Sequence, residues 1–502
     1  MILLKNSFAN YAGQVYNSLA ILIATPFFFN FFGPETYALI GFYGLMLFWV
    51  KLLDLGLSPT LAREIATLNS RKYHIKTTYE LLKSFETIFL IISIFIFILI
   101  SFLSTWIASS WFSEATISVE IIKNSILLMG YIFAIRFFQS LYRSGLIGLE
   151  VQVNLNIINI ISNTFRYYFP ILLLIYPSFD ILIFFIYQAI IETLTLLIMY
   201  KIFYKILPSS SGIYRIFHFN FAIVRRVLPF ALSIALSALI WVLVSQSDKL
   251  ILSSILSLKE FGYFSLIMII TNGLQLITNP LTQAVLPRLI ILLKNDDEIQ
   301  FKALYRDICR IVTYISFSVA LIVSFLSFNI LYLWTADVDT ASWGDSILFW
   351  YALGNGFLGI SSMQYVLQSS FGNLKLHLIG SFISLFIQVP IILYSAINYG
   401  ALGAGIAWFG VRLIFFILWT PVIHKKFLPN FHFSWLLEDI LPIIFLLVVT
   451  SIGLNYFFEI YAQFEINELI EIITFVSLFL SITLFFSKKL RVSLLAIISP
   501  SR

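Results

Sequence analysis

The stretch GPETYALIGFYGLMLFWVKLLDLGLSPTLAREIA, residues 33–66, holds a tight turn, a membrane-length apolar run and a charged, turn-rich exit in close succession. Gly33-Pro34-Glu35-Thr36 closes a hairpin, and Tyr37 to Leu53 is apolar enough to cross a bilayer, whose hydrocarbon core takes about 20 helical residues. The segment 54–66 then leaves on a basic note, the mark of a cytoplasmic exit. Lys51 and Asp54 lie unusually deep for charged residues.

Working outward, the whole chain shares this character. Hydrophobic residues make up 60% of it and charged residues only 11%, with a mean hydropathy of +0.96; a soluble domain carries about 25% charge. Long apolar runs without two-residue alternation specify membrane helices and exclude an outer-membrane barrel. The first run follows Lys5 and extends about 25 residues with no small-residue cleavage site behind it, so it is expected to remain as span one. The net charge of +6 is scattered and forms no stripe with aromatic interleaving, which argues against nucleic acid. A single cysteine, Cys309, allows no internal disulfide and no CxxC metal site, and no metal or cofactor is expected.

Apolar runs of spanning length number about fourteen, six before residue 205 and eight after 226. With the amino terminus inside, 23 of the 31 lysines and arginines fall in cytoplasmic segments and only Lys123, Lys249 and Lys259 fall outside. That asymmetry fixes the orientation and places both termini in the cytoplasm. Starts of the first six spans recur 219 to 227 residues later. The expectation is an all-α polytopic membrane protein of about 14 transmembrane helices, with two six-helix lobes, 1–205 and 227–425, related by a pseudo-two-fold axis along the membrane normal. A cytoplasmic connector at 206–226, with Phe217, Phe219 and Phe221 beside Arg225 and Arg226, is expected on the inner surface, and 426–502 adds two helices and a tail.

Polar residues recur at helical spacing in six spans: Asn156, Asn159, Asn163 and Arg166 in span five, Arg136, Gln139, Ser140 and Arg143 in span four, Asn272, Gln275, Asn279 and Gln283 in span eight, with further stripes from Ser233 to Asp248 in span seven, Gln14 to Thr25 in span one and Ser361 to Gln368 in span ten. Hydrogen bonding between helices accounts for any one stripe; six together favour a hydrated lumen. Arg136, Arg166 and Arg412 lie near mid-span, where a charge costs about 3 kcal/mol unless a partner or water relieves it. Glu192 lies at a depth similar to Arg166 in the next span, whereas Arg136 and Arg412 show no evident partner. Lys51 and Asp54 share one helix face and are read as a pair at the inner interface, and Asp248 with Lys249 as an interfacial pair at the outer end of span seven. The deep cations outnumber the deep acids, so a cleft lined by them favours an anionic cargo, and guanidinium forks match phosphate oxygens. Candidate cargo contacts are therefore Arg136, Arg143, Arg166, Arg412, Asn163 and Gln275. Lys51, Asp54, Glu192 and Asp248 are candidates for ion coupling or gating.

No Walker A, HExxH or GxSxG sequence is present, and the five histidines are scattered. Outer connections near 106–123, 335–345 and 459–467 are too short for an external catalytic domain, which argues against an enzyme. The layout, with Gly33, Tyr37, Asp54, Gly56 and Arg63 in the first hairpin, SDKLILSSILSLKEFGYFSL at 247–266 and PLTQAVLPRL at 280–289, resembles the polysaccharide (Wzx-type) flippases of the multidrug/oligosaccharidyl-lipid/polysaccharide exporter superfamily. That resemblance covers residues 1 to about 425. It implies alternating-access transport of undecaprenyl-diphosphate-linked oligosaccharide across a bacterial cytoplasmic (inner) membrane, in O-antigen, lipopolysaccharide or capsule biosynthesis. The implied partners are the lipid-linked oligosaccharide, membrane lipids, a polysaccharide polymerase and a chain-length regulator. Two alternatives stay open: an ion-coupled drug or small-molecule exporter of the same superfamily, for which a central acidic cluster would be expected, and a membrane polymerase or glycosyltransferase.

Overall fold

Apolar runs too long for a soluble core become helices, because only a helix or a closed barrel satisfies the backbone in lipid. The computed structural model of the 502-residue chain describes residues 2–66, 75–112, 115–176, 178–207, 219–461, 468–487 and 489–493. Every regular element among them is helical. In order these are α1 (Ile2–Val50), a short 3₁₀ turn (Lys51–Asp54), α2 (Leu57–Ala66), α3 (Ile75–Trp106), α4 (Val119–Gly148), α5 (Gln152–Asn163), α6 (Phe169–Leu173), α7 (Ile181–Ile206) and α8 (Phe221–Ile255). Then follow α9 (Leu258–Lys294), α10 (Glu298–Phe325), α11 (Ser327–Thr335), α12 (Val338–Ser370), α13 (Lys375–Phe427), α14 (His432–Trp435), α15 (Leu441–Tyr461) and α16 (Glu468–Phe486). Three π-helical turns interrupt the series at Ile107–Trp111, Thr164–Tyr168 and Leu436–Ile440.

Nine helical stretches among the described residues are long and apolar enough to cross a membrane. Two of them are too long for one crossing: Ala12–Asp54 has 43 residues and Lys375–Phe427 has 53. At 1.5 Å per residue each exceeds about 60 Å, twice the hydrocarbon thickness. Each is broken by one glycine in a conformation closed to other residues, Gly33 (φ 76°, ψ 164°) and Gly400 (φ 60°, ψ −148°). The hairpin read from Gly33 is thus a change of backbone direction inside one helical run. Of the connector expected at 206–226, residues 208–218 lie outside the described residues; Phe219 and Phe221 are exposed, and Phe221 to Arg226 form the first turns of α8. Helix α10 begins at Glu298, about a dozen residues before the apolar run at 310–334 that was expected to form span nine, and its first turns carry Lys302, Arg306 and Arg310, each in an ion pair.

The chain packs as two compact units, Met1–Gly262 and Tyr263–Arg502. In the first, α4 packs between α3 and α7, and α8 packs on α1, α2 and α3. One flank of α3 stays bare: Ile91, Ile94, Phe95, Ile98 and Phe102 are exposed, an apolar face suited to lipid. Along the seam of α1 and α5 the polar stripe of span five is spent between helices. Asn10 Nδ2 donates to Gln152 Oε1 at 2.7 Å, Asn156 Nδ2 to Asn10 Oδ1 at 2.6 Å, and Asn163 Nδ2 to Asn17 Oδ1 at 2.5 Å. This stripe belongs to helix association in lipid, where such bonds replace the missing hydrophobic drive.

In the second unit, Phe301, Tyr305, Phe317, Trp435, Leu447 and Phe479 belong to one core that joins α10, α12 and α15 to α16. A buried carboxylate at the π-turn before α15 docks this pair of helices. Asp439 Oδ1 accepts from Arg310 Nη2 at 2.6 Å and Nε at 2.9 Å, while Oδ2 lies 3.2 Å from Arg306 Nε. Arg310 also reaches Asp307 at 2.8 Å, and Ser493 closes onto Asp307 at 2.7 Å. The extra residue of a π-turn turns Asp439 inward, where it is 1% exposed, and leaves the neighbouring Glu438 half exposed.

Two stability measurements follow. Asp439→Asn leaves two guanidiniums facing a neutral amide and is expected to cost about 3 kcal/mol, read as a lowered Tm in detergent, whereas Glu438→Gln costs under about 1 kcal/mol; equal Tm losses would remove the docking role of Asp439. For the α1–α5 seam, a double-mutant cycle with Asn17→Leu and Asn163→Leu should return a coupling of about 0.6 to 1.7 kcal/mol, and strict additivity would contradict a direct bond.

Candidate functional site

The first unit gathers charge at the depth where it is most costly. Three elements supply it. Helix α4 carries Arg136, α7 carries Glu192, and the π-turn between α5 and α6 carries Arg166. Glu192 is fully buried. Its Oε1 accepts from Arg136 Nε and lies 2.6 Å from Arg166 Nη2, so one oxygen serves two guanidiniums. The pairing expected of Arg166 is present, and Arg136, for which the sequence offered no partner, shares it. The reason is rotational: a helical wheel for α4 alone does not show that its arginine-bearing face meets the glutamate-bearing face of α7, two helices later in the chain.

Each arginine is also held from behind. Arg166 Nη1 donates to Asn163 Oδ1, its backbone carbonyl accepts from Gln188 Nε2 at 3.0 Å, and Asn163 is in turn tied to Asn17. Arg136 lies 5.6 Å from the centre of the Tyr43 ring, which is itself stacked on Phe133 with centroids 5.5 Å apart. Pro170, just past the π-turn, sits at the start of α6, where its missing N–H is no loss. The π-turn adds a residue to the span and re-aims Arg166; such turns recur at functional sites.

Arg143 stands two turns further along α4 on the same side, exposed, and within the electrostatic reach of Arg136 and Arg166. Among the described residues no carboxylate lies within ion-pair distance of it. Three guanidiniums against one carboxylate leave the cluster net cationic. Lone-pair and N–H capacity also remains unused: Glu192 Oε2 and Arg166 Nε have no protein partner among the described residues. Chemically, the cluster can receive an oxyanion.

The remaining candidates lie elsewhere. Asp54 is a helix cap: its carboxylate accepts from Ser58 N at 3.1 and 3.2 Å and from Ser58 Oγ at 2.6 Å, closing the first turn of α2. The side chain of Lys51, its expected partner, lies outside the described residues, as does that of Gln275. Asp248 and Lys249, read as an interfacial pair, are 1% and 9% exposed within the packed helices, and Lys249 Nζ donates to Gln246 Oε1 at 3.0 Å and lies 5.9 Å from the Phe48 ring centre. Their burial follows from the packing of α8 against α1 and α2, which an apolar-run reading cannot supply. Arg412 belongs to the second unit, where its guanidinium stacks 4.2 Å above the Trp408 ring centre.

One cluster was absent from the candidates. Lys83 Nζ donates to Glu86 Oε2 at 2.7 Å and to Tyr204 OH at 2.8 Å, while Glu86 Oε1 accepts from Tyr142 OH at 3.1 Å and from Tyr204 OH. The i, i+3 spacing of Lys83 and Glu86 was the available signal; the two tyrosines come from α4 and α7 and left none. This network ties α3, α4 and α7 together.

Comparison with known proteins agrees with this architecture. The fold matches that of the lipid II flippase MurJ in an inward closed conformation, at 17% identity and a TM-score of 0.70 over 97% of this chain and 100% of that one. It also matches an inward-facing multidrug resistance MATE transporter of the MOP superfamily, at 16% identity and a TM-score of 0.60 over 82% and 95%. A Vibrio cholerae MATE transporter, VcmN, matches at 16% and 0.59 over 85% and 96%. Among curated proteins none matches significantly. The sequence profile of the polysaccharide biosynthesis protein family fits residues 3–292, more than half of the chain and all of the charge cluster, and this multi-pass membrane protein belongs to that family.

Proposed function

We propose that the chain is a flippase that carries an undecaprenyl-diphosphate-linked oligosaccharide from the inner to the outer leaflet of a bacterial cytoplasmic membrane. The observation that carries this reading is the net cationic cluster of Arg136, Arg166 and Arg143 inside the membrane-spanning part of a polysaccharide biosynthesis protein. A guanidinium offers a planar fork of donors that suits adjacent phosphate oxygens, and little water competes for it at this depth. A diphosphate headgroup meets both conditions. Its prenyl tail stays in lipid, where exposed faces such as that of α3 already lie. The likeness in fold to a lipid II flippase supports a lipid-linked cargo, and a cargo of drug-like cations would be repelled by the same charges.

Fourteen crossings accord with this reading. The nine apolar stretches become eleven when those broken at Gly33 and Gly400 are counted twice, and α5 with α6, α9 and α12 supply three more. An even count with an inside start returns the carboxyl terminus to the cytoplasm. Transport proceeds by alternating access, and Asp54, Glu192 and Asp248 are the carboxylates available for ion coupling. On this reading a polysaccharide polymerase and a chain-length regulator act on the delivered repeat units, in O-antigen or capsule assembly.

In a host whose surface polysaccharide depends on this gene, Arg136→Gln and Arg166→Gln should each lower display at least tenfold at matched protein level, with Arg143→Gln intermediate; full display in both of the first two would refute the cargo site. Orientation is checked in a Cys309→Ser background. Ser118→Cys should react with an impermeant maleimide in intact cells and Asn373→Cys only after permeabilisation, and the opposite pattern would invert the topology.

A further inference from the structure

An arginine cluster strong enough to capture a diphosphate would also hold it, and a carrier must release what it binds. Glu192 addresses this problem. It is fully buried, yet it makes only a minimal bond to each arginine: both guanidiniums converge on Oε1, and Oε2 has no protein partner among the described residues. Neither arginine is met by the two parallel bonds that a carboxylate can offer a guanidinium. Both arginines are also anchored independently of Glu192, Arg166 through Asn163 and Arg136 against Tyr43. Glu192 can therefore leave while the arginines stay.

We propose that Glu192 is a tethered counter-ion which the anionic group of the cargo displaces from Arg136 and Arg166, so that the site loads and empties by exchange of one oxyanion for another. The proposal rests on the cargo site of the preceding subsection and assigns its regulation. With Glu192 in place the two guanidiniums are compensated and the empty site is stable in the membrane. An arriving phosphoryl group takes over Oε1's two donors and adds the unused Arg166 Nε. When the cargo leaves, the carboxylate, fixed on α7 and always at high local concentration, returns to the pair. Affinity is thereby capped without weakening either arginine's position.

The test uses the full-length protein in lipid nanodiscs and inorganic pyrophosphate as the probe. Glu192→Gln removes the competitor and leaves two uncompensated cations, so its Tm should fall without anion and be restored by pyrophosphate, which should bind about tenfold more tightly than to wild type. The double variant Arg136→Gln/Glu192→Gln should lose that response. Pyrophosphate affinities within twofold for wild type and Glu192→Gln, or equal Tm increments, would overturn the exchange role. Should Glu192→Gln fail to survive purification, Glu192→Asp, with its tether shortened by one methylene, decides the matter: tighter pyrophosphate binding than wild type supports exchange, and equal or weaker binding refutes it. Unaltered pyrophosphate binding in Arg136→Gln and Arg166→Gln would instead count against the cargo site itself, which separates the two failures.

Discussion

The sharing of one Glu192 oxygen by Arg136 and Arg166 is the interaction on which the first unit depends. A mid-membrane guanidinium alone costs about 3 kcal/mol on insertion scales, and two together would also repel. One buried carboxylate offsets both costs and in doing so fixes three elements: α4, α7 and the π-turn after α5. Everything that positions those elements serves the same contact. The asparagine seam holds α5 to α1, the Tyr43–Phe133 stack backs α4, and the Lys83–Glu86–Tyr204 network clamps α3, α4 and α7. A polar cluster of this kind adds little net stability compared with well-packed apolar residues; what it secures is a defined arrangement of charge in a place where charge is rare.

The second unit uses the same chemistry for a different end. Asp439 meets two arginines, through two hydrogen bonds from Arg310 to Oδ1 and an ion-pair contact of Oδ2 with Arg306, and Asp307 and Ser493 hold Arg310 from the other side. Three carboxylates face two arginines there, so little charge is left over for an outside ion. Saturation of this kind suits a joint between helices. The contrast lies in the charge balance: around Glu192 three guanidiniums face one carboxylate, and the positive charge left over gives that cluster capacity to receive a ligand.

Much of this was legible from residues 33–66 outward. Apolar run length gave helices, Gly33 marked the break in α1, and the depth of Arg136 and Arg166 singled out the two arginines that share Glu192, because each of these signals is local and one-dimensional. Depth also suggested the Arg166–Glu192 pair. Contacts that require the rotation of one helix against another were not legible: the second claim of Arg136 on Glu192, the burial of Asp248 and Lys249 on the packed side of α8, and the tyrosines around Glu86. The polar stripe of span five shows the same limit. Its spacing was plain, but whether it faces a neighbour or a lumen depends on where α1 lies, and α1 takes most of it.

The π-turn at Thr164–Tyr168 carries a consequence for how such a site arises. Each residue added to a helix advances its phase by about 100°. A π-turn instead absorbs one extra residue in a wider turn, so the asparagine seam before it and the helix after it both keep their phase while the residues within the turn, Arg166 among them, are re-aimed. A helix could acquire a new inward-facing arginine this way in a single insertion, with no loss of its existing contacts to α1. Deleting that one residue would restore an unbroken α-helix and carry Arg166 away from Glu192, so the charge geometry of the unit hangs on a count of residues as much as on their identity.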